Sequence, residues 1–261
     1  MFKKLESIIN NSPFYNIIRF NPLTDLIIET KTRRTKKAIQ FYSSFLDTRS
    51  TNKLIYDIGA NKGNKVKAFL RMGFEVVAAE PERKALSTLR WRYGTNKNVI
   101  ILDNGVSDKE STLTIHIAEN RSGLNTVSEK WVDSLEKEQT NRWHKKHRFK
   151  KQYEIKAVTL DQLFKNYGLP YFIKIDVEGY EKNVVMSMSS LPSFTSFETN
   201  LPEFLEETIE CINHLASLSN KITFNYSMAD KLELQEWISA NEMIKILRNS
   251  GIRYMEIICR V

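Results

Sequence analysis

Leu54–Ile55–Tyr56–Asp57–Ile58–Gly59–Ala60–Asn61–Lys62–Gly63 is the stretch that decides the fold of this 261-residue chain. The apolar run Leu54–Ile58 stops at Gly59, and a second glycine follows at Gly63. Beyond it Val66, Phe69, Leu70 and Met72 recur at helical spacing. A strand, a glycine turn and a helix in that order make the first half of a nucleotide-binding βα unit. Gly59 allows a positive φ or a close backbone approach to a ligand, and Gly63 lets helix and strand pack closely. Asp57 is the exception within the run. A carboxylate at a buried strand end is costly without a partner or a ligand, so it either meets one or caps the next helix.

The spacing departs from the dinucleotide fingerprint. G-x-G-x-x-G brings backbone amides onto a pyrophosphate at a helix N-terminus. Here the pattern is D-x-G-x-x-x-G, with an acid in the strand and one glycine fewer. That suits a cationic, phosphate-free ligand better than NAD, and S-adenosylmethionine (AdoMet), with its sulfonium and ammonium groups, fits the description. The following strand, Glu75–Val76–Val77–Ala78–Ala79–Glu80–Pro81, ends in an acid. Glu80 in that position accepts both hydroxyls of a ribose, unless it is merely a solvated loop residue.

Length and composition set the frame. With 261 residues, 41% of them hydrophobic and 14 Phe, one large α/β domain with a sizeable core is expected. The formal charge of +8 admits nucleic acid, a membrane surface or an acidic sugar-phosphate as partner and selects none of them. The two cysteines, Cys211 and Cys259, lack metal-ligand spacing and read as apolar core residues of a reduced, cytoplasmic protein. Met1–Phe2–Lys3–Lys4 resembles the start of a signal peptide, but Glu6, Asn10 and Asn11 interrupt the apolar stretch, so export is not expected. Nothing reaches the roughly 18 consecutive apolar residues of a membrane span.

Residues 1–50 carry short helical patterns broken by Pro13 and Pro22, and form a small N-terminal helical extension to a domain over 51–261. The basic run from Lys31 to Lys37 is either an anion-facing arm or, more simply, a solvated helix face. Strands and helices alternate from residue 53. A helix over Arg83–Tyr93 leads to the third strand, Val99–Leu102, after which Asn104 and Val106 stand where an adenine edge is read. Residues 119–152 form a charged insertion. Trp131, Trp143 and the basic run Lys145–Lys151 suggest a lid gripping an anionic substrate. His144 and His147 have no accompanying cysteine or acid cluster, and no metal site is expected.

The second informative stretch is Tyr171–Phe172–Ile173–Lys174–Ile175–Asp176–Val177–Glu178–Gly179–Tyr180–Glu181. A central parallel strand is normally an apolar run. Lys174 and Asp176 interrupt this one two residues apart, hence on one face. Open α/β sheets bind ligands outside the carboxyl ends of their strands, and a fourth strand beside the first puts Asp176 next to the cofactor's reactive end. The plainer alternative is a buried Lys–Asp pair with a structural role. Beyond it Phe194–Glu198 reads as another strand ending in an acid.

Together these segments resemble the FkbM family of AdoMet-dependent methyltransferases. The matching residues are Asp57–Gly63, Glu80–Pro81, Val106–Ser107–Asp108, Thr159–Leu160–Asp161, Lys174–Glu181 and Phe197–Glu198. D-x-G-A-N-x-G is shared with many methyltransferases; its combination with K-I-D-V-E-G-x-E is far more specific. The resemblance implies a class I Rossmann-like fold, with a mostly parallel seven-stranded sheet and helices on both faces, and O-methylation of sugar hydroxyls. It also implies that Asp57, Gly59, Asn61 and Gly63 line the methionine side and Glu80 the ribose. Gly105 replaces the family's alanine. A hydroxyl needs a general base, for which Asp176 is the first candidate. Lys174 sets its charge, and Glu178 orients the acceptor or stands in as base. Alternatives are an RNA or DNA methyltransferase, favoured by the basic balance but lacking an N/D-P-P-Y element, and a non-catalytic binding module with the same fold.

Overall fold

Short β-branched runs between glycine and polar breaks become strands, and the longer amphipathic stretches become helices. The computed structural model describes residues 33–119, 122–137 and 144–261; the helices expected around Pro13 and Pro22, and Trp143, lie outside them. In chain order the elements are α1 (Arg34–Tyr42), β1 (Leu54–Ile58), α2 (Asn64–Arg71), β2 (Glu75–Ala79), α3 (Arg83–Tyr93), β3 (Val99–Leu102), β4 (Gly105–Val106) and β5 (Ser111–Ala118). They continue with α4 (Glu129–Glu136), β6 (Phe149–Val158), α5 (Leu160–Tyr167), β7 (Phe172–Ile175), α6 (Glu181–Val185), β8 (Phe194–Asn200) and α7 (Leu205–Leu218). The last are β9 (Thr223–Met228), β10 (Lys231–Leu232), α8 (Ala240–Asn249) and β11 (Tyr254–Arg260).

The main sheet has the order β10-β9-β11-β8-β7-β1-β2-β3. β1 pairs in parallel with β2 on one side and β7 on the other, and β7 pairs in parallel with β8. β11 runs antiparallel between β8 and β9. The seven expected strands are therefore present in the class I Rossmann-like order, extended at one edge by the two-residue β10. The chain builds outward from β1 to β3 and then returns to β7, so the strand order reverses between β1 and β7. Their carboxyl ends open the crevice in which such sheets bind ligands.

Of residues 119–152, the last four belong to β6 and the rest connect β5 to β6. β5 and β6 are antiparallel partners from Ser111↔Ala157 to Ala118↔Phe149, and β4 joins β6 in a second, three-stranded sheet. The last basic residues of the run thus belong to a strand, and only the part between β5 and β6 is an excursion.

Side chains alternate across each strand, so the main sheet has two different faces. Tyr56, Ile58, Ile173 and Ile175 pack toward α5, α6 and α7. Ile55 and Phe172 pack on the other face, against Phe69 of α2 and Tyr42 of α1. The Tyr42 ring lies 4.7 Å from Phe69 and 5.6 Å from Phe172, so the helix before residue 50 is built into the core. Arg34, Lys36 and Lys37 point outward from it, the solvated-face alternative. Cys211 and Cys259 are buried and unpaired, as read from the sequence.

Candidate functional site

Both sequence motifs end at the switch point, and they touch. Gly59 has φ 82°, and a Cβ there would lie 1.9 Å from the Asp176 carbonyl oxygen. The Asp176 N–H donates to the Ile58 carbonyl at 2.9 Å. A glycine is required because the backbone after β7 passes against the turn after β1, and any side chain would push the strands apart. Gly63 serves a different contact from the one expected. A Cβ there would lie 2.6 Å from both Leu89 and Tyr93, so the close packing is between α2 and α3, and the Tyr93 hydroxyl donates to the Gly63 carbonyl.

Outside these strand ends lies a cleft of about 780 Å³. Gly59, Asn61, Glu80, Asn104, Val106, Asp176 and Glu178 line it. Asp57, Gly63 and Lys174 do not. Asp57 and Lys174 are register partners on β1 and β7, and both face the α2 side of the sheet, behind the cleft. Asp57 is 1% exposed and its Oδ2 has no hydrogen-bond partner. Burial raises its pKa to about 6, against the lowering pull of Lys174.

Glu80 is buried at the end of β2. Its Oε2 accepts the Asn61 N–H at 2.7 Å and its Oε1 the Glu82 N–H at 2.8 Å. Each oxygen keeps a second lone pair and Glu80 lines the cleft, so the residue remains able to receive a pair of hydroxyls. Burial lifts its pKa to about 7, opposed by those two amide bonds. It is not a solvated loop residue. Glu82 accepts from Lys84 N and Ala85 N and thereby caps α3.

On the β7 side the wall is ionic. Lys174 Nζ lies 2.6 Å from Asp176 Oδ2, with the lysine side chain 4% exposed and the aspartate 26%. Burial disfavours the ammonium, but Asp176, Asp57, Glu198 and Glu256 together more than offset it and raise the Lys174 pKa. Asp176 lines the cleft beside this ion pair and keeps a second carboxylate oxygen, Oδ1, as an acceptor. The turn that follows is fixed by Glu181, whose carboxylate accepts the N–H groups of Val177 and Gly179. Glu178 adopts φ 54°, a left-handed conformation of the kind that concentrates at functional sites, and so does Asn61 at 49°. Thr126 Oγ1 donates to the Glu178 carbonyl at 2.7 Å.

Gly123, Asn125, Thr126 and Val127, between β5 and α4, also line the cleft, together with Leu113, Ile115 and Ile155 of the second sheet. Sequence reasoning missed these residues because a loop has no periodicity; the β5 alternation was visible, but not where its face would pack. Lys145, Lys146, Arg148, Lys150 and Lys151 are exposed and line no described cavity, and Lys150 pairs with Glu119. Trp131 is buried edge-on against Phe204, with centroids 5.6 Å apart, because it anchors α4 to the domain. His147 is buried as well, its N–H donating to the Leu135 carbonyl. Among the described residues, no helix is long and apolar enough to cross a membrane.

The model of the methyltransferase FkbM domain matches residues 57–254. No curated protein sequence matches the chain. Solved structures of similar shape include the precorrin-6Y C5,15-methyltransferase from Geobacter metallireducens, at 8% identity and TM-score 0.42, covering 87% of this chain and 86% of that one. Another is the plantazolicin methyltransferase BpumL in complex with SAH, at 7% identity and TM-score 0.42, covering 99% and 98%. A third is a putative RNA methyltransferase from Pyrococcus horikoshii, at 11% identity and TM-score 0.39, covering 86% and 81%.

Proposed function

Since this chain belongs to the FkbM methyltransferase family and is an AdoMet-dependent methyltransferase, we propose that it methylates a sugar hydroxyl of a glycan or glycoconjugate, giving a methyl ether. The observation that supports O-transfer is the position of Asp176, a carboxylate on the cleft wall, locked against Gly59 and oriented by Lys174. A hydroxyl is a weak nucleophile at neutral pH, and a carboxylate within hydrogen-bond reach removes its proton as the new bond forms.

AdoMet would lie along the β1–β3 ends. Asn61 and the Gly59 backbone would hold the methionine portion, Glu80 the ribose hydroxyls, and Asn104 and Val106 the adenine. The buried, unpartnered Asp57 Oδ2 fits a cationic cofactor, because it adds negative potential directly behind the turn. When bound, AdoMet supplies a methyl carbon on a sulfonium, whose bonding pair leaves with sulfur. Lys174 holds Asp176 Oδ2, and Asp176 Oδ1 takes the acceptor proton. Thr126 and Glu181 fix the turn that carries Glu178, which orients the acceptor.

A nucleic-acid acceptor would require cations around the cleft, and the basic side chains of the run Lys145–Lys151 line neither it nor the neighbouring cavity. The reading is tested by incubating the protein with methyl-labelled AdoMet and a cell-envelope glycan extract. Label is expected in carbohydrate, stable to mild alkali as an ether must be. Alkali-labile label, or label recovered in RNA or protein, would overturn it.

A further inference from the structure

A second cavity, of about 710 Å³, opens on the other side of the turn formed by residues 177–180. Val127 and Tyr180 line both cavities, so the two adjoin there. The second cavity lies among the start of α4, the start of α6 and the face of α7, and Glu198 of β8 projects into it.

Glu198 has a defined relation to the proposed base. β7 and β8 run in parallel with Lys174 opposite Ser196 and Ile175 opposite Phe197. The next rung places Asp176 beside Glu198, on strands roughly 4.8 Å apart. One carboxylate lines the cofactor cleft and the other lines the second cavity. Glu198 Oε1 accepts the Tyr254 hydroxyl at 2.6 Å, and its second oxygen, Oε2, retains hydrogen-bonding capacity for a ligand.

We propose that this second cavity is the acceptor site, that Glu198 binds the acceptor through a hydroxyl next to the one methylated, and that the acceptor segment held there is an uncharged polyol.

The inference rests on the methyl-transfer reading above and adds the place and charge of the acceptor to it. The cavity has two ammonium groups, and both are engaged: Lys130 by Glu207 and Lys182 by Glu210 at 2.6 Å. Against them stand Glu129, Glu181, Glu198 and Glu207, so a phosphate or carboxylate would find no spare cation and several acids. A neutral hydroxyl meets no such repulsion and can both donate to and accept from a carboxyl group. Burial, and next to it the charge of Asp176, raise the Glu198 pKa, so a further anion beside it is disfavoured and an uncharged partner is not.

The test separates the glycan extract by anion exchange into unretained neutral and retained anionic pools, and supplies each with methyl-labelled AdoMet. Wild type is expected to label the neutral pool. Glu198→Gln keeps the Tyr254 contact but presents an amide N–H₂ to the ligand. It should raise KM for the neutral pool roughly 10- to 100-fold with AdoMet affinity unchanged. Asn183→Trp, which fills the cavity from α6, should block labelling while AdoMet still binds. Thermal melting checks that both variants are folded. Label confined to the anionic pool would overturn the proposal, as would folded Glu198→Gln and Asn183→Trp proteins that label the neutral pool with wild-type KM. Label in neither pool, with AdoMet bound, would remove the glycan reading and this inference with it.

Discussion

At the carboxyl end of β2 the acids Glu80 and Glu82 are held by the backbone, whereas across the crevice Asp176, Glu198 and Glu256 are held by other side chains. Glu80 is fixed by two amide N–H groups and Glu82 by two more. Across the crevice, Asp176 meets Lys174, Glu198 meets Tyr254, and Glu256 accepts the Ser196 hydroxyl. Backbone donors stay in place whatever side chains evolve around them, so the first half presents one geometry to one cofactor. Side-chain partners can be exchanged singly, so the second half is the part able to change with the acceptor. The price of that freedom is a set of four carboxylates gathered around one buried lysine.

The comparison breaks most sharply at Lys174. Lys174→Met leaves Asp57, Asp176, Glu198 and Glu256 without their common counterion, and unfolding in urea should show a loss of about 3–5 kcal/mol. Lys174→Met/Asp176→Asn should recover a large part of it; equal losses in both would mean the lysine acts through packing alone. On the backbone-held side the largest effect belongs to Gly59→Ala, which combines φ 82° with a backbone collision. It should cost roughly 3 kcal/mol or more and abolish AdoMet binding. Gly73→Ala, with φ 85° but open space around it, isolates the conformational part at about 1–2 kcal/mol. Similar losses for the two would contradict the contact between the motifs.

Glu80 tests the cofactor half without unfolding it. Glu80→Ala should weaken AdoMet binding by roughly 1.5–3 kcal/mol in titration calorimetry. Because the ionised form accepts the hydroxyls and its pKa lies at about 7, wild-type affinity should fall as pH drops below 7 and plateau above it. A flat profile would detach Glu80 from the ligand. The smallest effect concerns Glu181, also raised to about 7, chiefly by burial. The folded protein holds that proton where the unfolded chain, titrating near 4.5, has released it. The associated stability is therefore complete below pH 4.5 and lost as pH rises to 7. Glu181→Gln should flatten the slope there by up to about 1.4 kcal/mol per pH unit. An unchanged slope would assign the titration elsewhere.

How much could be read in advance follows the same division. Strand, turn and helix around Gly59 were legible because a five-residue apolar run closed by glycine has few other solutions. Asp176 was legible as a charge interrupting a buried strand. The helix over Arg83–Tyr93 and the placement of β7 beside β1 appear as expected. What escaped was what depends on contacts distant in sequence. Asp57 and Lys174 belong to the correct motifs but turn to the face behind the cleft, because strand alternation decides facing while a motif records only position. Trp131 is a core anchor and the basic run an exposed stretch leading into β6, placements that composition alone does not announce. Val127 and Tyr180 line both cavities because the β5–β6 connection packs over the turn after β7, which no local pattern announces.

The account turns on Asp176 as the group that takes the acceptor's proton, and single-turnover methyl transfer by Asp176→Asn addresses it most directly. The substitution preserves size and the hydrogen bond from Lys174 while removing the base. With AdoMet bound at wild-type affinity and the fold verified by melting, the transfer rate should fall about 10²–10⁴-fold. A folded, AdoMet-saturated Asp176→Asn protein that transfers methyl at the wild-type rate would contradict it.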